Sequence, residues 1–416
     1  MVRHSLPGFS FGWNPVSGIL CLISACAIIG LPFVRSAPNR MMTGEPVGLW
    51  QVLIAGFSTP LPSTLGWLLG GVLLMCLLTS VLKPLRVILW LQVFAACALV
   101  VLLVAVAGAW AQHMALTQSA NARTSLGGAF WMLLVLAWLM AADALQRLRA
   151  GLLTRLVLLA AVLAGVVWML ASGAGDVLSI MKEHANRADT FVAAVARHLQ
   201  IVLFALVPTM CIGLPLGWWV HRQRAANAAV FPVLNIIQTI PSIALFGLLM
   251  APLALLAASF PQLARAGISG VGLAPGVIAL VLYSLLPVVR GTLAGLQQVP
   301  QAVVDAARGM GMSDLQIAVC VQLPLALPVL LSGIQTATIA AIGMATITAL
   351  IGAGGLGAIM FEGLFSSAQD LVLLGVVPIV GLAVLADALF KLAITFLQST
   401  PKITQHATPQ TVSLAP

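Results

Sequence analysis

The sequence has few charged residues and a single tyrosine. Only 7% of its 416 residues are charged, and 61% are hydrophobic, whereas a soluble domain carries about 25% charged residues. A surface so poor in charge cannot stay dispersed in water, so most of the chain must face lipid or other buried helices. The composition excludes an ordinary soluble protein and predicts an all-α, polytopic transmembrane protein.

Several chemical signatures are also missing. The six cysteines form no CxxC pair and lie mostly inside apolar runs, so they are interpreted as small buried hydrophobes. The six histidines do not cluster with carboxylates, and we expect no metal site. No nucleophile has a base beside it, which argues against a membrane enzyme. The net charge of +9 does not indicate nucleic acid, because Lys and Arg stand in ones and twos between apolar segments.

Ten apolar stretches are long enough to cross a hydrocarbon core about 30 Å thick as helices. They lie approximately at residues 17–34, 64–82, 87–109, 126–145, 152–171, 199–220, 229–250, 272–289, 329–351 and 372–398. Residues 251–263 are apolar too, but Pro252 and Pro261 favour a short re-entrant or interfacial piece there. A secretory signal is the alternative for the first stretch, although no cleavage site follows it and Arg35 comes directly after it.

The basic residues indicate an orientation. Ten spans place both termini on one side, and twelve of the 19 Lys and Arg residues fall on the inner side if the termini are cytoplasmic. These twelve are Arg3, Lys83, Arg86, Arg147, Arg149, Arg155, Arg222, Arg224, Arg290, Arg308, Lys391 and Lys402. We therefore expect both termini in the cytoplasm.

A polar connection divides the chain into two halves. We predict an N-terminal membrane region of about five helices at 1–172, a periplasmic connection at 173–196, a second membrane region at 197–398 and a cytoplasmic tail at 399–416. The second region carries Gln, Thr, Ser, Gly and Pro at membrane depth. Such polar groups usually face a bundle interior or an aqueous cavity, so the second half is predicted to be the functional half.

The cytoplasmic segment between the eighth and ninth spans has the pattern of two short helices joined by a turn. Pro300 suits a first helical turn, and the helix is predicted to run to about Arg308 with Val303 and Ala307 on one face. Gly309 and Gly311 then allow the positive φ that ends it.

The second short helix of this segment begins at a capping box. Ser313 and Gln316 have the required spacing, and prolines at 324 and 328 are expected to close the helix. The segment is therefore predicted to be a helix-turn-helix that moves as a rigid unit.

This segment resembles the EAA loop of ABC-importer permeases. The family pattern is Glu-Ala-Ala, three residues, Gly, nine residues, Ile-x-Leu-Pro, and the matching residues here are Asp305, Ala306, Ala307, Gly311, Val321, Leu323 and Pro324. Asp replaces Glu and Val replaces Ile, which keeps the chemistry. In that family the loop docks into a groove on the ATP-hydrolysing subunit and transmits the nucleotide cycle to the membrane helices. The resemblance implies the same role here.

Three further segments resemble the osmoprotectant, or quaternary-amine, branch of these permeases. They are NIIQTIPSIALFGLL (235–249), APGVIALVLYSLLPVVRGTLAGL (274–296) and GIQTATIAAIGMATITALIGAGGLG (333–357). The resemblance covers about residues 195–398, while the first five spans resemble only the extended amino-terminal regions of some members. Gly291 departs from the Asn expected after the Arg, which puts a local hydrogen bond in doubt.

The resemblance implies a bacterial inner-membrane permease whose last five helices form a type I ABC-importer core. It would import glycine betaine or a related quaternary amine by alternating access. An ABC permease for an amino acid or a sulfonate is an alternative, and a secondary transporter is another. Charged residues are nearly absent from the later spans, so proton coupling has little to work with.

Polar groups beside Pro241 make the first candidate for the substrate path. A proline interrupts a membrane helix, and a broken helix is tolerated where it lines a cavity; a simple kink is the alternative. The candidates for the translocation path are Gln238, Thr239, Pro241, Ser242, Tyr283, Gln335 and Thr338. Helix packing is the alternative for Gln335 and Thr338.

Two other motifs have simple explanations. Asp387 and Lys391 have the i,i+4 spacing of an ion pair, with a proton relay as the alternative. GAGGLG at 352–357 lacks the Lys-Ser or Lys-Thr of a phosphate-binding loop and is interpreted as an outer turn. No other segment offers such a loop, so ATP and Mg are expected in a separate subunit and no cofactor in this chain.

The expected partners follow from these interpretations and from the resemblance. Quaternary ammonium ions favour aromatic cages, but the second half holds one tyrosine, Tyr283, and two tryptophans, Trp218 and Trp219. The tight substrate site is therefore expected in a periplasmic solute-binding protein. The other partners are the ATP-hydrolysing subunit, a second permease subunit of the same or a related chain, and the lipid membrane. Nucleic acid is not expected.

Overall fold

The computed structural model describes residues 14–39, 42, 44–57, 60–119, 121–265 and 267–398. Within these ranges nine helices are long and apolar enough to cross a membrane. These nine and the shorter apolar helix Pro15–Gly30 correspond to the ten predicted stretches, so the helical transmembrane class is confirmed. The tail predicted at 399–416 lies outside the described residues.

Contacts divide the chain into two compact units. The first contains Met1–Val192 together with Ile359–Val376, and the second contains Ala193–Ala358 and Val377–Pro416. The first boundary falls inside the connection predicted at 173–196. The return of a later segment to the first unit was not predicted from the sequence.

The first unit holds a helical bundle and a small sheet. Its elements are α1 (Pro15–Gly30), β1 (Val34–Ala37), β2 (Glu45–Val47), α2 (Leu49–Phe57), α3 (Pro60–Val81), α4 (Arg86–Thr117), β3 (Arg123–Leu126), α5 (Gly128–Arg147), α6 (Leu152–Ala171) and α7 (Ser179–Asn186). Fully buried apolar side chains such as Phe33, Leu103 and Leu133 form part of the core of this unit. Within a membrane, helices are favoured because they satisfy every backbone N–H and C=O internally.

A polar network joins α1 to α5 inside this unit. Asn14 caps α1, its Oδ1 accepting from the Val16 N–H at 3.2 Å. The Asn14 amide also donates to Asp143 Oδ2 at 2.7 Å, and Arg147 Nε donates to the same carboxylate oxygen at 2.9 Å. Buried polar groups are stable in such a place only when they are paired, so this network fixes how the two helices pack.

The small sheet has the strand order β2-β1-β3 with antiparallel pairing. Val34 lies opposite Val47 on one side and opposite Leu126 on the other. The sheet was not predicted from the sequence, because strands of three or four residues are too short to show a clear alternation of apolar and polar positions.

The second unit contains the remaining helices. Its elements are α8 (Ala188–Arg222), α9 (Arg224–Thr239), α10 (Ser242–Ser259), α11 (Pro261–Arg265), α12 (Leu273–Gln297), α13 (Gln301–Gly309), α14 (Asp314–Gln316), a π-helical turn (Ile317–Gln322), α15 (Leu323–Ala345) and a 3₁₀ turn (Ile347–Ile351). Two more helices, α16 (Leu356–Phe365) and α17 (Gln369–Gln398), each have residues that belong to both units.

The predicted re-entrant piece at 251–263 is wrong in its boundaries. Helix α10 continues through Pro252 to Ser259, and only the short α11 follows it. A proline inside a helix removes one hydrogen bond, but in α10 it does not end the helix. The break in the seventh predicted span comes earlier, between α9 and α10.

Helices α12 and α15 approach each other at two glycines. A Cβ added to Gly291 would lie 2.7 Å from the Cα of Gly333. A Cβ added to Gly295 would lie 2.8 Å from the carbonyl oxygen of Ala326. Small residues at such crossings let two membrane helices pack backbone to backbone, so these glycines set the spacing of the pair.

Candidate functional site

The EAA-like loop folds as two short helices with a defined turn. Pro300 precedes α13, which ends at Gly309. Gly311 then has a φ of +84°, a left-handed conformation that a glycine adopts without strain. Ser313 and Gln316 form a complete capping box. The predicted turn and capping box are thus present, although Gly309 itself remains helical and does not have a positive φ.

The inner face of α13 packs on its own chain. Val304 and Ala307 are buried in a cluster that includes Ile317, Leu296 and Ala326. The predicted face of Val303 with Ala307 is therefore wrong by one residue, because Val303 is 40% exposed whereas Val304 is 6% exposed.

The outer face of this loop is apolar and uncovered by the chain. Ala306 is exposed, and Val303, Met310 and Leu315 are exposed by 40%, 77% and 74%. These residues lie on the loop itself, in a sequence stretch whose helices carry charged side chains as well. Exposed apolar patches of this kind are typical of surfaces that take part in protein contacts.

Charged side chains connect the two short helices. Arg308 lies 3.4 Å from Asp314 and 3.9 Å from Asp305, and Arg222 of α8 lies 3.5 Å from Asp314. Gln301 donates to Asp305 Oδ1 at 3.0 Å. These pairs are exposed, so each contributes little stability, but together they hold the loop against the end of α8.

Pro324 and Pro328 do not close the second short helix, contrary to the prediction. The chain runs from α14 through the π-helical turn directly into α15. Pro324 lies in the first turn of α15, where its missing N–H is tolerated. Val321 packs against the buried cluster of the loop, and Leu323 is 40% exposed. The loop is therefore joined to α15 by continuous helical structure.

The predicted break at Pro241 is present. Helix α9 ends at Thr239 and α10 begins at Ser242, with extended backbone at Ile240. The Gln238 amide donates to the Tyr283 carbonyl oxygen at 3.0 Å, and the Tyr283 hydroxyl donates back to the Ile240 carbonyl oxygen. A carbonyl that the helix end leaves unpaired is thus satisfied by α12.

Other path candidates lie in different surroundings. Thr239 bonds to a carbonyl of its own helix at 2.7 Å, and Ser242 is half-buried at the start of α10. Thr338 is 7% exposed and donates to the Ile334 carbonyl at 2.8 Å, so its hydroxyl is satisfied within α15. Gln335 donates to Asp387 Oδ1 at 2.7 Å.

The i,i+4 ion pair in α17 forms as predicted. Lys391 Nζ lies 2.7 Å from Asp387 Oδ2, the two side chains being 54% and 33% exposed. Since Gln335 donates to the other oxygen of the same carboxylate, Asp387 links α17 to α15. The ion pair was predicted from the sequence, but the link between the two helices was not, because Gln335 and Asp387 are 52 residues apart and no local spacing relates them.

Arg290 was missed as a site residue. Its guanidinium donates to Asn235 Oδ1 at 2.8 Å and lies 6.0 Å from the centre of the Phe231 ring. Arg290 thus has an asparagine partner on α9, although no asparagine follows it in the sequence. An Asn at 291 would not fit, because its Cβ would collide with Gly333.

The GAGGLG motif forms a turn, as predicted. Gly352, Gly354 and Gly355 have φ values of +82°, +83° and +82°. Arg197 of α8 donates to the Ala353 carbonyl at 2.9 Å. In the described part of the chain, no group of three His, Cys, Asp or Glu side chains is placed to hold a metal ion.

The two short helices, the capping box and the continuous helical structure into α15 fit the resemblance to the EAA loop of ABC-importer permeases. A family model described as the binding-protein-dependent transport system inner membrane component matches residues 210–396. A second model, the N-terminal domain of the ABC transporter permease YehY, matches residues 14–181. The second match lies in the N-terminal half of the chain, where no specific family motif was recognised.

Relatives of known name match the second half. The chain is 37% identical over 205 residues to the glycine betaine/carnitine/choline transport system permease protein OpuCB of Bacillus subtilis, covering 49% of this chain and 86% of that protein. It is 38% identical over 202 residues to the osmoprotectant import permease protein OsmW of Salmonella typhimurium, covering 49% and 89%. The chain belongs to the family of binding-protein-dependent ABC-importer permeases, which are multi-pass inner-membrane proteins and not enzymes.

Among solved structures, the chain is similar to the MetNI methionine ABC transporter in its inward facing conformation. The sequence identity is 24%, the TM-score is 0.44, and the match covers 51% of this chain and 98% of that chain.

Proposed function

We propose that this permease imports an osmoprotectant, glycine betaine or a related quaternary amine. The observation that carries the substrate class is the similarity to permeases named for glycine betaine, carnitine, choline and osmoprotectant import. These matches extend over most of each relative, so they include the whole transport region of those proteins rather than a single motif.

ATP hydrolysis belongs to a separate subunit that docks on the EAA-like loop. Asp305, Ala306, Ala307, Gly311, Val321, Leu323 and Pro324 form this coupling loop. Its exposed apolar side chains, Val303, Ala306, Met310 and Leu315, are the surface for that subunit. Since the buried face of α13 is attached to the base of α15, a push on the loop reaches the membrane helices through continuous helix.

The translocation path runs along the broken α9–α10 helix. Gln238, Pro241 and Tyr283 meet there, and the half-buried Ser242 follows the break. Where a membrane helix is unwound, its backbone N–H and C=O groups can hydrogen-bond to a solute, whereas in an intact helix they bond to each other. Thr239 on the last turn of α9, and Gln335 and Thr338 on α15, complete the candidate set.

The remaining assignments complete the proposal. Both termini are cytoplasmic, and residues 1–172, 173–196, 197–398 and 399–416 are the N-terminal membrane region, the periplasmic connection, the permease domain and the tail. A periplasmic solute-binding protein supplies the high-affinity site, because the path holds a single tyrosine. A second permease subunit, identical or related, completes the pathway, and the two open alternately to the two sides.

The proposal is tested by uptake of radiolabelled glycine betaine into vesicles that contain the permease, its ATPase and its binding protein. We expect uptake to require hydrolysable ATP, to be competed by choline or carnitine and not by histidine or methionine, and to be lost in Gly311→Asp. Uptake that does not require ATP and is unchanged in Gly311→Asp would overturn the importer mechanism. Competition by amino acids alone would overturn the substrate class.

A further inference from the structure

One segment of the permease half packs with the N-terminal half of the chain. Residues Ile359–Val376, which form most of α16 and the start of α17, belong to the first compact unit. Ile359, Leu371 and Leu374 are 3%, 0% and 5% exposed. The segment is thus firmly packed, although the chain on both sides of it belongs to the second unit.

A polar cluster holds the second half of this segment. Ser125 of β3 donates its hydroxyl to Asp370 Oδ2 at 2.6 Å. Arg123, two residues earlier, forms an ion pair with Glu183 of α7 at 3.0 Å, and the two side chains are only 18% and 4% exposed. Arg123 and Glu183 are both close enough to act electrostatically on Asp370. Asp370 is therefore held by Ser125 and by the charge of Arg123, both in β3. Arg123 also pairs with Glu183 and so offsets the repulsion between the two acidic side chains.

Lys182 adds a further contact to the same cluster. It donates to the Ala122 carbonyl oxygen at 2.8 Å. Burial lowers the pKa of Lys182, and the charge of Arg123 lowers it further. Two basic and two acidic side chains thus meet at this place, so the cluster is electrically balanced and each carboxylate has a cation nearby.

A second ion pair holds the first half of the segment. Arg187 lies 2.6 Å from Glu362 of α16. The residues between these two attachments close on themselves, because a Cβ at Gly363 would lie 2.5 Å from the Val372 backbone nitrogen. The segment is therefore a compact hairpin attached at both of its arms.

Residues that interrupt regular helical structure lie next to each end of this segment. Before it, Gly352, Gly354 and Gly355 have positive φ, so the backbone turns there without side-chain hindrance. After it, Pro378 lies inside α17 and removes a helical hydrogen bond. Such positions absorb changes of backbone angle when a domain moves.

We propose that the N-terminal unit carries the Ile359–Val376 hairpin as one body through the transport cycle, with Asp370 as the positioning residue that joins them. The N-terminal region then acts on the transport helix α17, rather than serving only as a membrane anchor. This inference rests on the proposed function in one respect: it requires that the permease alternates between states driven by ATP.

The first test locks the contact in the complete complex of permease, ATPase and binding protein. Ser125→Cys and Asp370→Cys are introduced together into a chain whose six native cysteines are replaced by alanine, and a short bis-methanethiosulfonate reagent cross-links the pair. If the hairpin stays with the N-terminal unit, the cross-link replaces the lost hydrogen bond and the cross-linked complex takes up glycine betaine near the native rate, whereas reduction lowers uptake to that of Asp370→Ala. Uptake that is lost on cross-linking and restored by reduction would overturn the proposal, because the contact would then have to open.

The second test breaks the contact. We expect Asp370→Ala to lower the maximal uptake rate about tenfold with little change in KM, and to lower ATP hydrolysis stimulated by the binding protein while leaving basal hydrolysis. Asp370→Asn, which still accepts from Ser125, should restore part of the rate. The matched control is Ser172→Ala, which removes a hydroxyl bonded within its own helix region and should behave as native.

The outcomes separate this proposal from the proposed function. Native uptake in Asp370→Ala, at equal amounts of assembled permease, would overturn the positioning role even if glycine betaine import is correct. If the native complex takes up no glycine betaine, the substrate class fails, and the hydrolysis measurements still decide whether breaking or locking the contact changes the ATP-driven cycle.

Discussion

Gly291 of α12 lies directly against Gly333 of α15. A Cβ on Gly291 would stand 2.7 Å from the Gly333 Cα, and a Cβ on Gly333 would stand 2.8 Å from the Gly291 Cα. Real Cβ atoms do not approach other atoms so closely, so neither position accepts a side chain without moving a helix. The Arg-Gly pair at 290–291 is therefore an adaptation of this chain to a very close crossing.

Gly333→Ala is expected to destabilise the permease. The added methyl group must push the two helices apart, which costs about 1–3 kcal/mol. Thermal unfolding of the purified permease in detergent measures this as a lower midpoint temperature, together with a loss of monodisperse protein.

The matched control for Gly333→Ala is Gly343→Ala in the same helix. Gly343 has no atom within 4 Å of an added Cβ, and alanine favours a helix over glycine by about 1 kcal/mol. This variant should therefore keep or raise the midpoint temperature. Equal losses in both variants would contradict the close crossing as the cause.

Gly311→Ala should weaken coupling to ATP, whereas Gly309→Ala should not. Both positions have open space around an added Cβ, but only Gly311 has a positive φ. The left-handed conformation costs a residue with a side chain about 1–2 kcal/mol, which disturbs the turn that orients α13. The measurement is ATP hydrolysis and uptake at equal complex amounts; a similar effect of both substitutions would mean that the turn conformation is not required.

Tyr283→Phe should destabilise the break between α9 and α10. The substitution keeps the ring but leaves the Ile240 carbonyl without its hydroxyl donor, and an unsatisfied buried acceptor costs about 1–3 kcal/mol. We expect a lower unfolding midpoint and reduced uptake. Thr336→Val is the control, since that exposed hydroxyl bonds to a carbonyl of its own helix. Native stability and uptake in Tyr283→Phe would show that the hydroxyl bond does not support the break.

The sequence predicted those features that depend on local pattern. The capping box at Ser313, the turn at Gly311 and the break at Pro241 all follow from residues close together in the chain. It did not predict that Tyr283 would satisfy Ile240, or that Gln335 would contact Asp387, because these pairs are 43 and 52 residues apart. Such contacts depend on which helices pack together, and a single sequence does not contain a periodic signal for that.

The same limit explains the errors in the coupling loop. Residues three or four positions apart share one face of a helix. Val303 and Ala307 are four apart and Val304 and Ala307 are three apart, so spacing alone does not show which valine is buried. Only the position of Ile317, which comes from the following turn, decides between them. Likewise, Pro324 is compatible with either the end or the beginning of a helix, and the continuous turn before it decides for the beginning.

Asp387→Asn should leave ATP-driven uptake within about twofold of native. An amide oxygen still accepts from Gln335, and loss of a partly exposed ion pair with Lys391 costs about 0–1 kcal/mol. Asp387→Leu, which removes the acceptor as well, should lower the unfolding midpoint more. A loss of uptake in Asp387→Asn with normal assembly would instead support the proton-relay alternative, because asparagine cannot titrate.

Asp143→Leu should destabilise the N-terminal unit. Asp143 accepts from both Asn14 and Arg147, so its removal takes one acceptor from each donor, although Asn14 also bonds to Ser17 and Arg147 to the Asn14 amide oxygen. A charged or polar group left unpaired in a part-buried place costs about 1–3 kcal/mol. The unfolding midpoint of the purified permease should therefore fall.

Two comparisons decide whether the Asp143 network is the cause of that fall. Arg155→Met removes an arginine that bonds only to the exposed Ala150 carbonyl, and we expect it to change the midpoint little. Adding Arg147→Leu to Asp143→Leu removes the unpaired cation, so the double variant should be more stable than Asp143→Leu alone. If the two losses simply add, Arg147 does not depend on the Asp143 carboxylate and acts instead through its bond to the Asn14 amide oxygen.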